Sequence, residues 1–520
     1  MSFRITYSVV NADMSELNRE FDAAMDDVRR RLGQTFPSWV DGKPLETNRF
    51  LESRSPVDTD VVIARFHAAG AEDVDRAMDA AKRAQVKWAR TPWAERARIL
   101  TGAADLISKR RMEMSAVCTL EVGKNRMESL GDVEEAADLL RYYAAQLAEA
   151  NGFSRPLSSL SPGEDTRDLL RPYGVFAVIA PFNFPVSLVA GMSGAAMLAG
   201  NAVILKPSEE TPWCSQLIYE CLREAGLPEG VLQVLQGEGE TVGKALSNHP
   251  RLDGVAFTGS TDVGMELFRI MSSGGRIRPC LMEMGGKNGA VIFGSSDVDE
   301  AVEACARSAF GLSGQKCSAL SRVIVHASIH DAFVEKLAAR AKSIVVGDPS
   351  RVEVYMGPVI DQRAVERFEQ ASAEARRDGT ILAGGERLTG GEYDRGYFVA
   401  PTVVSVPRGH ALHRRELFLP FLTVQSFETF DEAMTLLNDV DHGLTAGVFS
   451  KKPEEVEAFM DAAEAGVLYA NRKTGATTGA WPGVQSFCGW KGSGSTGKGG
   501  CGPYYVAQFA REQSQTRMTS

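Results

Sequence analysis
A cysteine, a glutamate and an asparagine stand in surroundings that suit covalent chemistry on a carbonyl group. Cys317 lies in Gly314-Gln315-Lys316-Cys317-Ser318, a small polar stretch directly after a helical run ending near Phe310. A thiol with an ordinary pKa of about 8.5 needs assistance to ionise and attack. Glu283 lies in Leu281-Met282-Glu283-Met284-Gly285-Gly286-Lys287, a carboxylate inside an apolar run. Desolvation there would lift its pKa toward the range of a general base. Asn183 sits between Phe182 and Phe184, with Pro181 and Pro185 outside them. An amide N–H of this kind can hold a developing oxyanion, and removing one such donor costs about 3–4 kcal/mol. Taken singly, each residue has a plainer reading that is favoured: a small core side chain, a capped acid at a strand end, a turn residue.

Lys206 and Glu209 follow an apolar run, in Leu205-Lys206-Pro207-Ser208-Glu209. At the carboxyl end of a parallel strand such residues face a ligand crevice; a solvated turn is the equal alternative. Gly237 to Gly243 reads GxGxxxG, one residue too long for the dinucleotide fingerprint. Gly492 to Lys498 reads GxxxxGK, but Gly499 replaces the Mg²⁺-binding hydroxyl and no apolar strand leads in, which argues against a phosphate loop. The seven histidines form no HExxH or Cys/His cluster, and His326 and His330 lack a third ligand, so no metal site is expected. Cys118, Cys214, Cys221, Cys280 and Cys305 lie in apolar periodic contexts and read as core residues.

The elements that must position these residues form an alternating α/β pattern. Short apolar runs at 175–180, 202–205, 231–235 and 254–257 alternate with helical segments starting at Pro185, Pro212 and Glu240. Each repeat is the size of a βαβ unit, and strands apolar throughout imply a parallel sheet covered on both faces. A second run follows: a strand at 290–293, a helix at 297–310, a strand at 322–326 and a helix at 329–345. Two α/β domains in tandem are therefore expected. Residues 73–149 read as helical with a break near Pro92, and the first 45 residues read as an appendage with a helix at 15–31 capped by Ser15. Residues 186–205 imitate a membrane span, but a helix ending near Gly200 and a short strand explain them better.

The 520 residues suggest about three domains. With 44% apolar and 24% charged residues the chain is neither disordered nor fibrous. A net charge of −10, from 57 basic and 67 acidic residues, gives no pointer to nucleic acid or an anionic membrane. Eight cysteines are too few for a disulfide scaffold, and with no signal peptide a cytoplasmic location is expected.

Six motifs in order resemble the aldehyde dehydrogenase superfamily. They are Pro181-Phe-Asn-Phe-Pro185, Lys206-Pro-Ser-Glu209 with Thr211-Pro212, Phe257-Thr-Gly-Ser-Thr-Asp-Val-Gly264, Glu283-Met-Gly-Gly-Lys287, Gly314-Gln-Lys-Cys317 and Asn438-Asp-Val-Asp-His-Gly-Leu-Thr445. Together they overturn the single-residue readings. Within the superfamily the likeness is to the 1-pyrroline-5-carboxylate (L-glutamate γ-semialdehyde) dehydrogenases. It rests on Gly314-Gln-Lys-Cys317-Ser318-Ala319, on Asn471 to Ala480, on Gly489 to Gly494 and on a Gly-Pro-Tyr-Tyr stretch.

The resemblance implies two doubly wound α/β domains and a β-hairpin oligomerisation arm. The implied division is an N-terminal arm (1–45), a Rossmann-like NAD-binding domain (46–150 and 173–285), a catalytic domain (286–485), and an arm with tail (151–172 and 486–520). It implies a homo-oligomer, a dimer or dimer-based, acting on a small-molecule aldehyde. Cys317 would attack the aldehyde, Asn183 and the Cys317 N–H would hold the oxyanion, and Glu283 would activate water against the thioester. NAD would be bound by Lys206, Ser208, Glu209, Gly239, Gly243, Ser260, Glu416 and Phe418, with the acidic Glu209 disfavouring a 2′-phosphate. Ser318, Gly475, Ala476, Phe487 and Glu135 would bind the substrate, with Glu134 the neighbouring alternative to Glu135. Two departures stand out: Phe418-Leu419-Pro420 has Leu where the family has Gly, and Ser486-Phe487-Cys488-Gly489 brings an extra thiol toward the substrate mouth. Another carboxylated semialdehyde therefore competes as substrate, and transfer to coenzyme A is a further reading that the presence of Glu283 opposes.

Overall fold
Alternate residues of the strand Val175–Ile179 fall into two different cores. Phe176 and Val178 face one apolar cluster, Val175 and Ala177 the other. The strand Ala202–Lys206 divides the same way, with Val203 and Leu205 against Ala202 and Ile204. This is the period of two of a strand buried on both faces. The computed structural model describes residues 14–473 and 480–518.

Among those residues two seven-stranded sheets carry the molecule. In the first, five parallel strands stand in the order Cys280–Glu283, Gly254–Thr258, Val175–Ile179, Ala202–Lys206, Leu232–Val234. The chain order reverses between Val175–Ile179 and Gly254–Thr258, so a crevice opens at their carboxyl ends. The loop 181–186 leaves one strand there and Gly259-Ser260 leaves the other. Ser38–Val40 and Lys43–Leu45, grouped with the appendage on sequence, instead extend this sheet as antiparallel strands.

The second sheet runs Thr380–Ala383, Thr402–Ser405, Phe421–Phe427, Leu320–His326, Asn288–Ile292, Thr445–Phe449, Val467–Ala470. All its pairings are parallel except that of Thr380–Ala383 with Thr402–Ser405. Ala290 and Ile292 face one cluster while Val291 faces another, so this sheet too is covered on both sides. A third, antiparallel sheet joins Ser154–Pro156, Glu164–Pro172 and the C-terminal strand Ala510–Met518.

The 73–149 region is four helices: Ala71–Trp88, Trp93–Lys109, Arg111–Val122 and Arg126–Glu149. Pro92 ends the first junction as expected, and Gly123 at φ 82° turns the chain before Asn125, whose side chain caps the last helix. The N-terminal helix spans Ser15–Arg29; Ser15 is its first residue, and the cap position is Met14, which makes no side-chain cap bond. The apolar 186–205 stretch is a helix, Ser187–Leu198, and a strand, Ala202–Lys206. Among the described residues no helix is long and apolar enough to cross a membrane.

The second sheet has one tight point. A Cβ on Gly447 would run into the Tyr469 ring on the neighbouring strand. We expect Gly447→Ala to destabilise the fold by about 1–3 kcal/mol, the usual range for overpacking. A denaturation midpoint equal to that of the unaltered chain would contradict this packing.

Candidate active site
Glu283 ends the first sheet and Asn288 starts the second, so the chain crosses between them in four residues. Asn288 pairs in register with Leu320, three residues after Cys317. The pairing alone brings position 283 toward position 317. The Asn288 side chain then fixes the Cys317 turn: Nδ2 donates to the Cys317 carbonyl at 2.7 Å and to that of Ala319 at 2.8 Å. Its Oδ1 accepts from the Thr445 N–H at 3.0 Å. Asn288 was not singled out on sequence; its neighbours give no sign that it bonds both the Cys317–Ala319 turn and the strand starting at Thr445.

The turn before Cys317 is strained in the left-handed region. Leu312 and Ser313 have φ of 49° and 52°, and Gly314 has 66°. Gly314 is required twice over, since a Cβ there would also meet the Leu419 carbonyl oxygen. Leu419 is buried among apolar side chains, and it is Phe418, at φ 59°, that takes the unusual conformation in this segment.

Cys317, Ser318, Glu283, Glu135 and Phe487 all line one cavity of about 460 Å³. Glu134 does not line it and turns to Arg111, 3.8 Å away. Asn183 stands behind the wall, 3% exposed, and its Nδ2 donates to the Gln315 carbonyl at 3.0 Å. An amide has two N–H donors, so one remains for a ligand. Gln315 is held in turn, its Oε1 accepting from the Ile360 N–H at 2.9 Å.

Exclusion from water sets the electrostatics. Burial raises the Glu283 carboxyl well above the usual carboxylate range, opposed only by the Gly500 N–H. Its Oε2 is buried with no hydrogen-bond partner, which leaves an acceptor aimed at nothing in the protein. Burial, with the charges of Glu283 and Glu416, pushes the Cys317 thiol up to about 12, against the N–H groups of Ser318 and of Cys317 itself. The Glu416 carboxyl is pushed up by burial to about 7, although it accepts the Gly286 N–H at 2.8 Å and feels Lys287.

A second cluster lies at the carboxyl end of Ala202–Lys206. The buried Lys206 ammonium donates to Glu209 Oε2 at 2.9 Å and to the Pro207 carbonyl at 3.0 Å. Burial pulls the Glu209 carboxyl up, but Lys206 outweighs it and holds the group below its ordinary value. Gly243 faces the Lys206 stem, and Gly239 is exposed with open space where a Cβ would stand. Ser208 is half-buried and accepts the Glu210 N–H at 3.3 Å. Ser260 is exposed at the start of the helix Thr261–Ser272 and makes no side-chain cap bond, so the first N–H groups of that helix are open to an anion. An acidic pair-forming Glu, glycines without neighbours and an uncapped helix end suit a dinucleotide. Phe418 packs edge-on against Phe182, ring centres 6.0 Å apart. Gly475 and Ala476 lie outside the described residues.

The tail closes the site, which sequence reasoning missed. Met284 N–H donates to the Ser493 carbonyl at 2.8 Å, and Met282 N–H to Ser495 Oγ at 2.9 Å, so residues 493–495 hold the strand that ends at Glu283. The extra thiol in the cavity wall is that of Cys501, not Cys488. Cys488 points away and donates to the Gly466 carbonyl at 3.1 Å. Cys501 itself takes a left-handed backbone, φ 62°, in a turn, and composition gave no signal of it.

The model of the aldehyde dehydrogenase family matches residues 39–514. The chain is 35% identical over 509 residues to 1-pyrroline-5-carboxylate dehydrogenase 1 of Halalkalibacterium halodurans, covering 97% of each. It is 36% identical over 512 residues to 1-pyrroline-5-carboxylate dehydrogenase of Geobacillus kaustophilus, again covering 97% of each. Among solved structures, 1-pyrroline-5-carboxylate dehydrogenase from Thermus with bound NAD superposes with a TM-score of 0.93 at 33% identity, covering 100% of both chains.

The raised thiol has a direct consequence. More thiolate forms as pH rises, so a raised pKa displaces reactivity to higher pH. In cofactor-free protein, alkylation of the Cys317 peptide by iodoacetamide should still be accelerating above about pH 9, beyond the ordinary thiol pKa of about 8.5. A rate already level by about pH 8 would contradict the desolvated site.

Proposed function
The chain belongs to the aldehyde dehydrogenase family, and from that premise we propose that it oxidises L-glutamate γ-semialdehyde to L-glutamate with NAD. The observation that carries the reading is the shared cavity wall: a cysteine, and a half-buried glutamate whose Oε2 is buried and unpartnered. The Cys317 thiol gives its proton to solvent water, and the Sγ thiolate adds to the aldehyde carbon, the carbonyl π electrons moving to oxygen. The oxyanion of the thiohemiacetal is held by the free N–H of the Asn183 amide and the backbone N–H of Cys317. When bound, NAD supplies the acceptor for the hydride that leaves this carbon, so a thioester remains on Cys317. Glu283 then takes a proton from water, which adds to the thioester carbon and expels the sulfur, giving the carboxylate. The unpartnered Oε2 supports that role, because water can approach an acceptor that nothing else occupies.

Lys206, Ser208, Glu209, Gly239, Gly243 and Ser260 are assigned to the adenosine half and pyrophosphate of NAD, Glu416 and Phe418 to the nicotinamide half. An ionised Glu209 repels a 2′-phosphate, which favours NAD over NADP. Ser318, with the backbone of Gly475 and Ala476, is assigned to the substrate α-carboxylate, Glu135 to its amino group, and Phe487 to the apolar wall. We assign 46–150 with 173–285 to NAD binding and 286–485 to catalysis, with the strands at 38–45 joined to the first. We assign the strands at 154–172 and 510–518 to homo-oligomerisation, since the outer strand Ala510–Met518 is largely exposed and unpaired on one side. Work in the cytoplasm, in proline and arginine degradation, goes with this reading.

NADH formation decides the substrate. We expect kcat/KM for glutamate γ-semialdehyde to exceed that for succinate semialdehyde by at least about tenfold, the order of selectivity one paired polar anchor gives. The reverse preference would overturn the assignment. Cys317→Ala should abolish NADH formation, and Glu283→Gln should lower the steady-state rate by about 10²-fold or more, within the range for a lost general base. An unchanged rate in Glu283→Gln would refute its role.

A further inference from the structure
One helix holds both loops that carry the reacting groups. Glu128, Asp132 and Glu135 lie on Arg126–Glu149 at spacings of four and three, so they share a face. Glu128 reaches the Cys317 side: its Oε2 accepts the Leu312 N–H at 3.1 Å, and its Oε1 meets the Lys316 ammonium at 3.2 Å. Lys316 immediately precedes Cys317. Asp132 reaches the Asn183 side: its Oδ1 accepts the Ser187 N–H at 2.9 Å, at the end of the Pro181–Pro185 loop. Its Oδ2 meets the ammonium of Lys124 at 3.0 Å, and that ammonium lies 3.8 Å from the Phe184 ring centre. Lys124 and Asp132 are fully buried. The helix start is itself fixed, because Asn125 caps it and donates to the Tyr355 carbonyl at 2.8 Å.

We propose that Glu128 and the Lys124–Asp132 pair are positioning residues that set the Asn183 amide against Cys317 by tying both loops to one rigid helix. The proposal rests on the reading of Cys317 and Asn183 given above. Asp132 lies outside the cavity and Glu128 and Lys124 stand in its wall; each acts through the backbone or side chain of a residue beside Cys317 or Asn183. A buried ion pair contributes little net stability compared with apolar packing of the same volume. Its value here is direction, since Asp132 bonds the Ser187 N–H just after the oxyanion loop and holds the Lys124 ammonium over Phe184 within it. Both loops need such support: one contains residues in the left-handed region, and the other places its amide through a bond to a carbonyl of the first.

The test separates position from stability. Glu128→Ala, Glu128→Gln and Asp132→Asn would be assayed at saturating NAD, with rates expressed per Cys317 that iodoacetamide can alkylate. Glu128→Ala and Asp132→Asn should lower kcat at least about tenfold, since sub-ångström misplacement of reacting groups costs this much and more. KM for the aldehyde should move less than about threefold, as expected when transition-state contacts are lost rather than ground-state binding. NADH binding followed by its fluorescence should be unchanged. Glu128→Gln keeps the acceptor for the Leu312 N–H and should recover most of the rate, which a purely structural role does not predict. Should Glu128→Ala fail to fold, Glu128→Leu fills the same space, removes the same acceptor for the Leu312 N–H and carries the same expectation. A kcat per reactive thiol within about twofold of the unaltered enzyme in these variants would overturn the proposal, as no transition-state contact would have been lost. An unaltered protein that oxidises no aldehyde would overturn the functional reading, and the positioning role with it.

Discussion
The low-polarity seam between the two sheets, in which Cys317, Glu283 and Glu416 are half-buried, is the constraint on which the site depends. Cys317, Glu283 and Glu416 are all pushed toward their neutral forms there, chiefly by burial. Lys287, at the same crossing, is drawn down to about 7 by burial and by Arg322. A dry site strengthens every bond to a developing charge. It also means that the resting thiol is protonated and that an added charge at the seam will shift all of these groups together. The reactivity of the cysteine is therefore a property of the filled site rather than of the sulfur alone.

That seam exists because of how the chain crosses it. Glu283 is the last residue of one sheet and Asn288 the first of the other. Asn288 bonds the carbonyls on either side of Ser318 and the N–H of Thr445, so the Cys317–Ala319 turn and the strand starting at Thr445 meet at one amide. The topological reversal in the first sheet puts the Asn183 loop over the same point. Residues 493–495 then cover the strand that ends in Glu283. Two sheets, one loop and a returning tail thus converge on the site.

Much of this was legible in the sequence, for physical reasons. Runs such as Val175–Ile179 and Ala202–Lys206 are apolar on both faces, which marks buried parallel strands. Cys317, Glu283 and Asn183 stood out as polar residues among apolar, glycine or proline neighbours, but singly each favoured a plainer reading, and the ordered motifs decided. The roles of Asn288, Ser493 and Cys501 were not legible. Each depends on a partner more than twenty residues away, and Cys501 stands in a turn with a left-handed backbone. The edge strands at 38–45 were missed because three-residue strands carry too little periodicity to read. Glu135 against Glu134 was a question of helix register, and only the packing of the helix face answers it.

The central claim is that the substrate carbon becomes bonded to Cys317 before water reaches it. Mixing Glu283→Gln with NAD and glutamate γ-semialdehyde, quenching in acid within one turnover and mapping the peptides by mass spectrometry tests this directly. The account predicts a glutamyl thioester on the Cys317 peptide and on no other cysteine. An unmodified Cys317 peptide alongside newly formed NADH would contradict it.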